Sequence, residues 1–377
     1  MVSEFGWSSA ATSGAFALSI VVEGAMSIII GGLADKLGPH IILTLSGFLL
    51  RVGYLLMSQV SALWLMYLFY GLIIGTAMGG FFVTAVSVTA RWFTRRRSLM
   101  TGVVLSGVGI GMLIASPIAN YIIYSSNWRT SYLILGSIVL IVVILLSQFL
   151  KRDPAVIGRT PYGHHASTEA QRTADANSPS IRDVLCLPQF WLVFVIFFCT
   201  GFGLYSTHVH LVPYAIEVRI TPAAAAGIMS LSGGISVLGR LLLGFLADRI
   251  GNKQAIITCL ALLVLAFFWL SWITTLWAFV LFAFIFGLGQ GGIGSAQPPL
   301  VAELFGLKSL GLFFGILTFG FSIGGALGPY VSCYLFDVTG IYHWSFLVSS
   351  MVGVIGIIAT AVLRPVNKTG TSNQLSS

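Results

Sequence analysis

Apolar stretches of bilayer length recur along the whole chain, drawn at 9–34, 41–58, 63–90, 98–123, 130–150, 189–213, 222–247, 254–273, 276–302, 309–336 and 341–363. Each is close to the roughly 20 residues that a helix needs to cross a hydrocarbon core. They predict eleven transmembrane helices, five before and six after a polar interruption at 151–188. There Lys151, Arg152, Asp153, Arg159, His164, His165, Glu169, Arg172, Asp175, Arg182 and Asp183 are mixed with Pro, Ser and Thr, the composition of a solvated linker with some short helix. The predicted organisation is a bundle over 1–150, a cytoplasmic linker over 151–188, a second bundle over 189–364 and a tail over 365–377.

The two bundles look like copies. Gly31-Gly32-Leu33-Ala34-Asp35-Lys36-Leu37-Gly38 returns as Gly244-Phe245-Leu246-Ala247-Asp248-Arg249-Ile250-Gly251, 213 positions later and again between two apolar stretches. Membrane proteins built from repeated helix bundles are commonly solute carriers. One asymmetry stands out: two apolar segments precede Asp248 in its half, and only one precedes Asp35. The chain is therefore expected to lack a first helix, with Met1 an internal start or the edge of a truncated gene and an apolar helix encoded just upstream.

Composition agrees with a membrane setting. Only 8% of residues are charged and 57% are hydrophobic, too little polar surface for a soluble fold of 377 residues. The net charge of +8 does not form one patch, which argues against a nucleic-acid partner. Placing both Asp loops in the cytoplasm puts fifteen of the nineteen Lys and Arg residues on that side, in keeping with the positive-inside rule. Arg129 and Arg219 fall outside, and Arg51 and Arg240 fall within helices. The four cysteines are scattered without metal-ligand spacing, so no metal or cofactor is expected. Gly287-Leu288-Gly289-Gln290-Gly291-Gly292 matches a dinucleotide pattern only formally, because it lies inside an apolar membrane segment. No nucleophile triad or metal cluster supports an enzyme.

The repeated Asp loop resembles the signature that joins the second and third, and again the eighth and ninth, helices of the major facilitator superfamily. More narrowly, several motifs resemble the monocarboxylate transporter and oxalate/formate antiporter branch. These are Glu4-Phe5-Gly6-Trp7-Ser8, Ala90-Arg91-Trp92-Phe93 with Arg95-Arg96-Arg97, Asn127-Trp128-Arg129, His210-Leu211-Val212-Pro213, Gly239-Arg240-Leu241 and Glu303-Leu304-Phe305-Gly306. The resemblance covers about 4–363. It implies an all-α major facilitator fold of two pseudo-symmetric bundles, here with eleven of the usual twelve helices. It also implies a multi-pass carrier in the cell membrane, with the bacterial inner membrane the expected setting, acting as a monomer among membrane lipids. The implied cargo is a small organic anion, moved with a proton. The alternatives are a carboxylate antiporter, a carrier of a larger or uncharged solute, and a truncated inactive relative.

Candidate residues follow from where polar groups interrupt apolar segments. An Asp at a cytoplasmic loop can accept hydrogen bonds from the N-terminus of a neighbouring helix and pair with a basic residue, so Asp35, Lys36, Asp248 and Arg249 are expected to form gates. Arg240 lies about ten residues from the turn at Ile250, roughly 15 Å into the membrane, where an Arg costs about 2.5–3.5 kcal/mol. A guanidinium facing a cavity can grip a carboxylate bidentately, and the resemblance gives an Arg at this position to the substrate anion. Ser236 lies one turn away, at a position where many animal members carry an acid. His210 resembles a histidine near the site in bacterial relatives and is the first candidate for proton coupling, with Glu23 next in line, while His208, two residues away, points to a different face. Gln290, Tyr330 and Tyr334 are further expected cavity groups. Glu23 and Arg51, each fourteen residues from Leu37 in an antiparallel hairpin, are expected to form a buried charge pair.

Overall fold

Glycine turns and proline starts divide the apolar chain into helices that match the predicted count. The computed structural model describes residues 5–7, 9–163 and 181–364. Among these, eleven helices are long and apolar enough to cross a membrane. They are α1 (Ser9–Leu37), α2 (Pro39–Met57), α3 (Leu63–Trp92), α4 (Arg97–Ser125), α5 (Trp128–Ser147), α6 (Pro188–Glu217), α7 (Pro222–Ile250), α8 (Asn252–Leu270), α9 (Leu276–Phe305), α10 (Leu310–Thr339) and α11 (His343–Val362). Pro39, Pro188 and Pro222 open their helices, where a missing N–H costs nothing. Gly38 and Gly251 turn the chain at φ 90° and 94°, a conformation a side chain would resist. Segment 189–213 runs on to Glu217, so Pro213 sits inside α6 instead of ending it. Membrane helices tolerate such prolines because neighbouring groups satisfy the freed carbonyl.

One offset relates the halves. Leu37 and Ile250, Pro39 and Asn252, Met57 and Leu270, Trp92 and Phe305, and Arg97 and Leu310 are all helix boundaries 213 residues apart. The mates are therefore α1 with α7, α2 with α8, α3 with α9 and α4 with α10, while α6 has no mate among the described residues of the first half. Symmetry fails locally in α3, where Tyr67–Ile74 is wound as a wide π-helix.

The two sets of helices meet through α1 against α10 and α4 against α7. Both seams rest on glycine, as expected where lipid removes the hydrophobic drive and close backbone packing must hold helices together. A Cβ on Gly315 would overlap the carbonyl of Ser27, and one on Gly102 would overlap the carbonyl of Arg240. The offset maps the first contact onto the second. Ser27 Oγ also donates to the Gly315 carbonyl at 2.9 Å. Further along, a Cβ on Gly109 of α4 would still meet Val237 of α7 at 2.6 Å, whereas Gly107 and Gly111 on another face of α4, and Gly227, Gly233 and Gly234 on α7, have nothing within 4 Å of a Cβ position. The two sets of helices are thus held together at the Asp loops. With the orientation the basic residues indicate, that closed end faces the cytoplasm.

The expected linker is less solvated than its composition suggests. Tyr162 exchanges backbone hydrogen bonds with the α3–α4 loop, its N–H donating to Trp92 at 2.9 Å and its carbonyl accepting from Thr94 at 3.1 Å. A 3-10 turn covers Pro154–Ile157 and a short helix Ile181–Cys186. Glu4, Ser8, His164, His165, Glu169, Arg172 and Asp175 lie outside the described residues.

Candidate functional site

At the closed end of the cleft, each Asp of the repeated loop caps a helix across the seam. Asp35 accepts from the N–H of Leu312 at 3.2 Å, at the start of α10. Its mate Asp248 accepts from Ser98 and Leu99 at 2.9 and 3.0 Å, at the start of α4. Leu99 and Leu312 are themselves 213 apart, so the two caps are one device used twice. A carboxylate there satisfies orphan N–H groups and meets the positive end of the helix dipole.

The expected basic partners differ. Lys36 is exposed and makes no ion pair among the described residues, and Arg249 lies over the Phe245 ring at 4.4 Å. Asp35 pairs instead with Arg91, at 2.7 Å, and Arg91 reaches Asp153 of the linker at 3.3 Å. Lys36 and Arg249 each follow their Asp by one residue, about 100° around the helix, and so point away from the seam. The second loop is held differently: Ser98 Oγ donates to Asn252 Oδ1 at 2.7 Å, and Asn252 donates to Glu303 at 2.7 Å.

Arg240 lies midway along α7, beside α4. Its Nη1 is buried and donates to no group in the protein. A Cβ on Gly109 would lie 2.6 Å from the Val237 side chain and 3.2 Å from that nitrogen, so glycine leaves room for both. A buried donor without a partner costs about 1–3 kcal/mol, more when charged, and an arriving anion would relieve it.

Several other candidates are not brought to Arg240. Ser236 is buried against α9, where a Cβ on Gly291 would overlap its carbonyl, and its hydroxyl donates to Gly233 at 2.7 Å. Its polar group is thus satisfied within its own helix. His210 is buried, donates from Nε2 to the Pro329 carbonyl at 3.1 Å and packs beside Tyr342 at 5.4 Å. It braces α6 against α10 away from the cleft. Tyr330 and Tyr334 are 70% and 61% exposed and continue a stripe of Leu327 and Val338 on the α10 face opposite Gly325, which meets Tyr205. Tyrosines near a helix end on an outer apolar face suit the membrane–water boundary.

Glu23 and Arg51 do not pair. Arg51 Nη1 donates to the Leu133 carbonyl on α5 at 2.8 Å, while Glu23 makes no hydrogen bond or ion pair among the described residues. Equal depth had brought them together, but α2 turns its Arg towards α5. Glu23 instead has Tyr70 of α3 and Tyr205 of α6 as electrostatic neighbours. The tyrosines were not singled out in the sequence. Tyr70 sits in the widened segment of α3, a feature that often marks functional sites.

His208, two residues before His210 and so on another face of α6, does reach the centre. Its Nε2 donates to Gln290 Oε1 at 3.3 Å, with Tyr205 at 6.2 Å and Phe286 at 5.8 Å between ring centroids. Gln290 immediately precedes Gly291, whose Cβ would lie 2.8 Å from the backbone nitrogen of Arg240. A line of polar groups therefore runs from Glu23 past Tyr70 and Tyr205 to His208 and Gln290.

The family model for the Major Facilitator Superfamily matches residues 1–268 and 209–377. Monocarboxylate transporter 12 of Mus musculus is 26% identical over 346 residues, 86% of this chain and 71% of its own length. Monocarboxylate transporter 13 of Rattus norvegicus is 28% identical over 340 residues, 88% and 75% of the two chains. Among solved structures, the E. coli fucose:proton symporter FucP superposes with a TM-score of 0.70 at 15% identity, covering 94% of this chain and 93% of its own. The human organic anion transporter MFSD10 gives 0.72 at 18%, covering 92% and 83%. At such identities these two structures speak to the fold alone. The family match spans the chain and the relatives are carriers, so this is a multi-pass membrane transporter of the Major Facilitator Superfamily, related to the monocarboxylate transporters.

Proposed function

We propose that the chain carries a small organic anion of the monocarboxylate type across the cell membrane by alternating access, together with a proton. The observation that carries this reading is the guanidinium of Arg240, half-buried, with its Nη1 buried and unpartnered beside Gly109. A planar cation with unsatisfied donors matches a carboxylate better than it matches a neutral solute. The proton falls to His208 and not to His210, because His208 lies in the polar line and titrates in the neutral range when unperturbed. The test is uptake of labelled lactate, pyruvate, formate and oxalate into proteoliposomes with an imposed pH gradient. Uptake of at least one is expected, stimulated several-fold by external acid, and His208→Gln is expected to flatten that stimulation. Uptake that responds to acid equally in the variant would remove His208, and exchange indifferent to pH would favour an antiporter.

The Asp35 and Asp248 caps are the proposed cytoplasmic latches of this cycle. They hold α1 to α10 and α7 to α4 in the state described, and they must break for the cleft to open inward. Asp35→Asn with Asp248→Asn weakens charge-assisted bonds worth about 1.5–3 kcal/mol each. In a background without native cysteines, a Ser27→Cys reporter, whose position is fully buried in the seam, is expected to react with a thiol reagent roughly tenfold faster once both latches are removed. An unchanged rate would show that the glycine seams alone keep the cytoplasmic side closed.

A further inference from the structure

The chain leaves the bilayer at the end of α5 and returns at once to its boundary. The Trp92 indole Nε1 donates to the Lys151 carbonyl at 2.9 Å, and the Tyr162 N–H donates to the Trp92 carbonyl at 2.9 Å, so residues 151–162 form a loop with both feet on the residue that ends α3. Backbone bonds from Val156, Gly158 and Arg159 to Asp153, Ala155 and Pro154, at 3.2, 3.0 and 3.1 Å, fold its tip back. A closed loop of this kind is a compact surface unit. With both feet where transmembrane helices end, its tip stays near the depth of the lipid headgroups. Its surface is of two kinds. Phe149 at the root is 82% exposed and Val156 at the tip 68%, with Ile157 exposed beside it. Lys151 and Arg159 are exposed between them, and Arg95 and Arg96 of the α3–α4 turn add two more exposed cations, Arg95 packed against Gly163 just past the loop. Asp153 is the only acid from 149 to 162. It is already engaged, since Arg91 and Arg152 each hold it at 3.3 Å.

Exposed apolar side chains flanked by cations without acids suit an anionic leaflet, where the apolar groups enter the headgroup layer and the basic groups lie over phosphates. An acidic protein would meet the cations, but it would not account for apolar residues held at the depth of the bilayer boundary. From this placement we infer that the loop 151–162 is a docking surface for anionic membrane lipid on the cytoplasmic side, seated by Val156 and Ile157 and made selective by Lys151, Arg159, Arg95 and Arg96. The same loop carries Asp153, which braces Arg91 where Arg91 holds Asp35 at 2.7 Å. Lipid that keeps the loop down therefore steadies the first latch. This coupling rests on the proposed role of that latch, while the seating on lipid does not, so the two fail separately.

In a background without native cysteines, Val156→Cys carries an environment-sensitive fluorophore, and the full chain is reconstituted in phosphatidylcholine alone or mixed with phosphatidylglycerol. Phosphatidylglycerol is expected to move the emission to the blue and to cut quenching by aqueous acrylamide about threefold, an effect that high salt reverses by screening. Lys151→Gln with Arg159→Gln is expected to weaken the preference for the anionic lipid about tenfold or more, so that the change is lost at the same lipid content while thermal unfolding of the variant stays as in the parent. For the coupling, the Ser27→Cys reporter is expected to react about threefold more slowly when phosphatidylglycerol is present, and Asp153→Asn to erase that difference. Emission identical in the two lipids, or a shift that survives the double variant, overturns the docking surface. A shift produced by a soluble acidic peptide and not by phosphatidylglycerol overturns it too, and assigns the surface to a protein. Seating at Val156 with an unchanged rate at Ser27→Cys overturns the coupling to the latch.

Discussion

Arg240→Lys is expected to lower carboxylate entry by at least an order of magnitude, although the charge is conserved. Lysine offers one point charge on a flexible stem, whereas the guanidinium presents a planar fork that can hold both oxygens of a carboxylate. Each charge-assisted hydrogen bond is worth about 1.5–3 kcal/mol, so losing one of two slows entry by roughly tenfold to a hundredfold if the bond forms only when the solute is bound. The empty protein makes that condition plain, since Arg240 Nη1 has nothing to donate to before the anion arrives. Gly109 supplies a control. A larger side chain there would press on the guanidinium, so Gly109→Leu is expected to weaken entry with Arg240 intact. Initial rates over a range of substrate concentrations would show both effects. Full activity in Arg240→Lys would dismiss the residue as the anion site.

The fold was readable because its signals are strong and local. Bilayer-length apolar segments set the helices, and a turn glycine at φ 90° or 94° after each Asp fixed the hairpins in register. The cleft was readable only in part. Arg240 announced itself by cost, since an Arg deep in a membrane segment needs a partner or a purpose. Histidines two residues apart on one helix lie about 200° apart around it, and nothing in composition says which of His208 and His210 meets the cleft. Position along a hairpin gave Glu23 and Arg51 the same depth but no bearing around the axis, and the bearing decides pairing. Tyr70 and Tyr205 had no signal of their own, because an aromatic residue in an apolar helix is ordinarily packing.

The repeat also yields a contrast in stability between two glycines that sequence treats alike. Gly111 on α4 and Gly324 on α10 are mates under the offset, as are Gly107 and Gly320. On α10 these glycines receive α6: a Cβ on Gly324 would overlap the Phe198 carbonyl, and one on Gly320 would lie 2.8 Å from the Phe194 ring. On α4 the same positions have nothing within 4 Å. Gly324→Leu must therefore push α6 off α10, and overpacking of this kind against backbone costs at least about 1–3 kcal/mol. Gly111→Leu is expected to be neutral in the 377-residue chain, since a leucine facing lipid is well solvated. Thermal unfolding of the two variants in detergent should separate them by several degrees, with Gly324→Leu the lower and accompanied by a fall in folded yield. The same pair probes what covers α4 in the membrane. If a further helix seats on that face as α6 seats on α10, Gly111→Leu becomes nearly as damaging as Gly324→Leu wherever the helix is supplied. Equal tolerance at both positions would mean that α6 and α10 do not pack through these glycines, and the symmetry argument would fail with it.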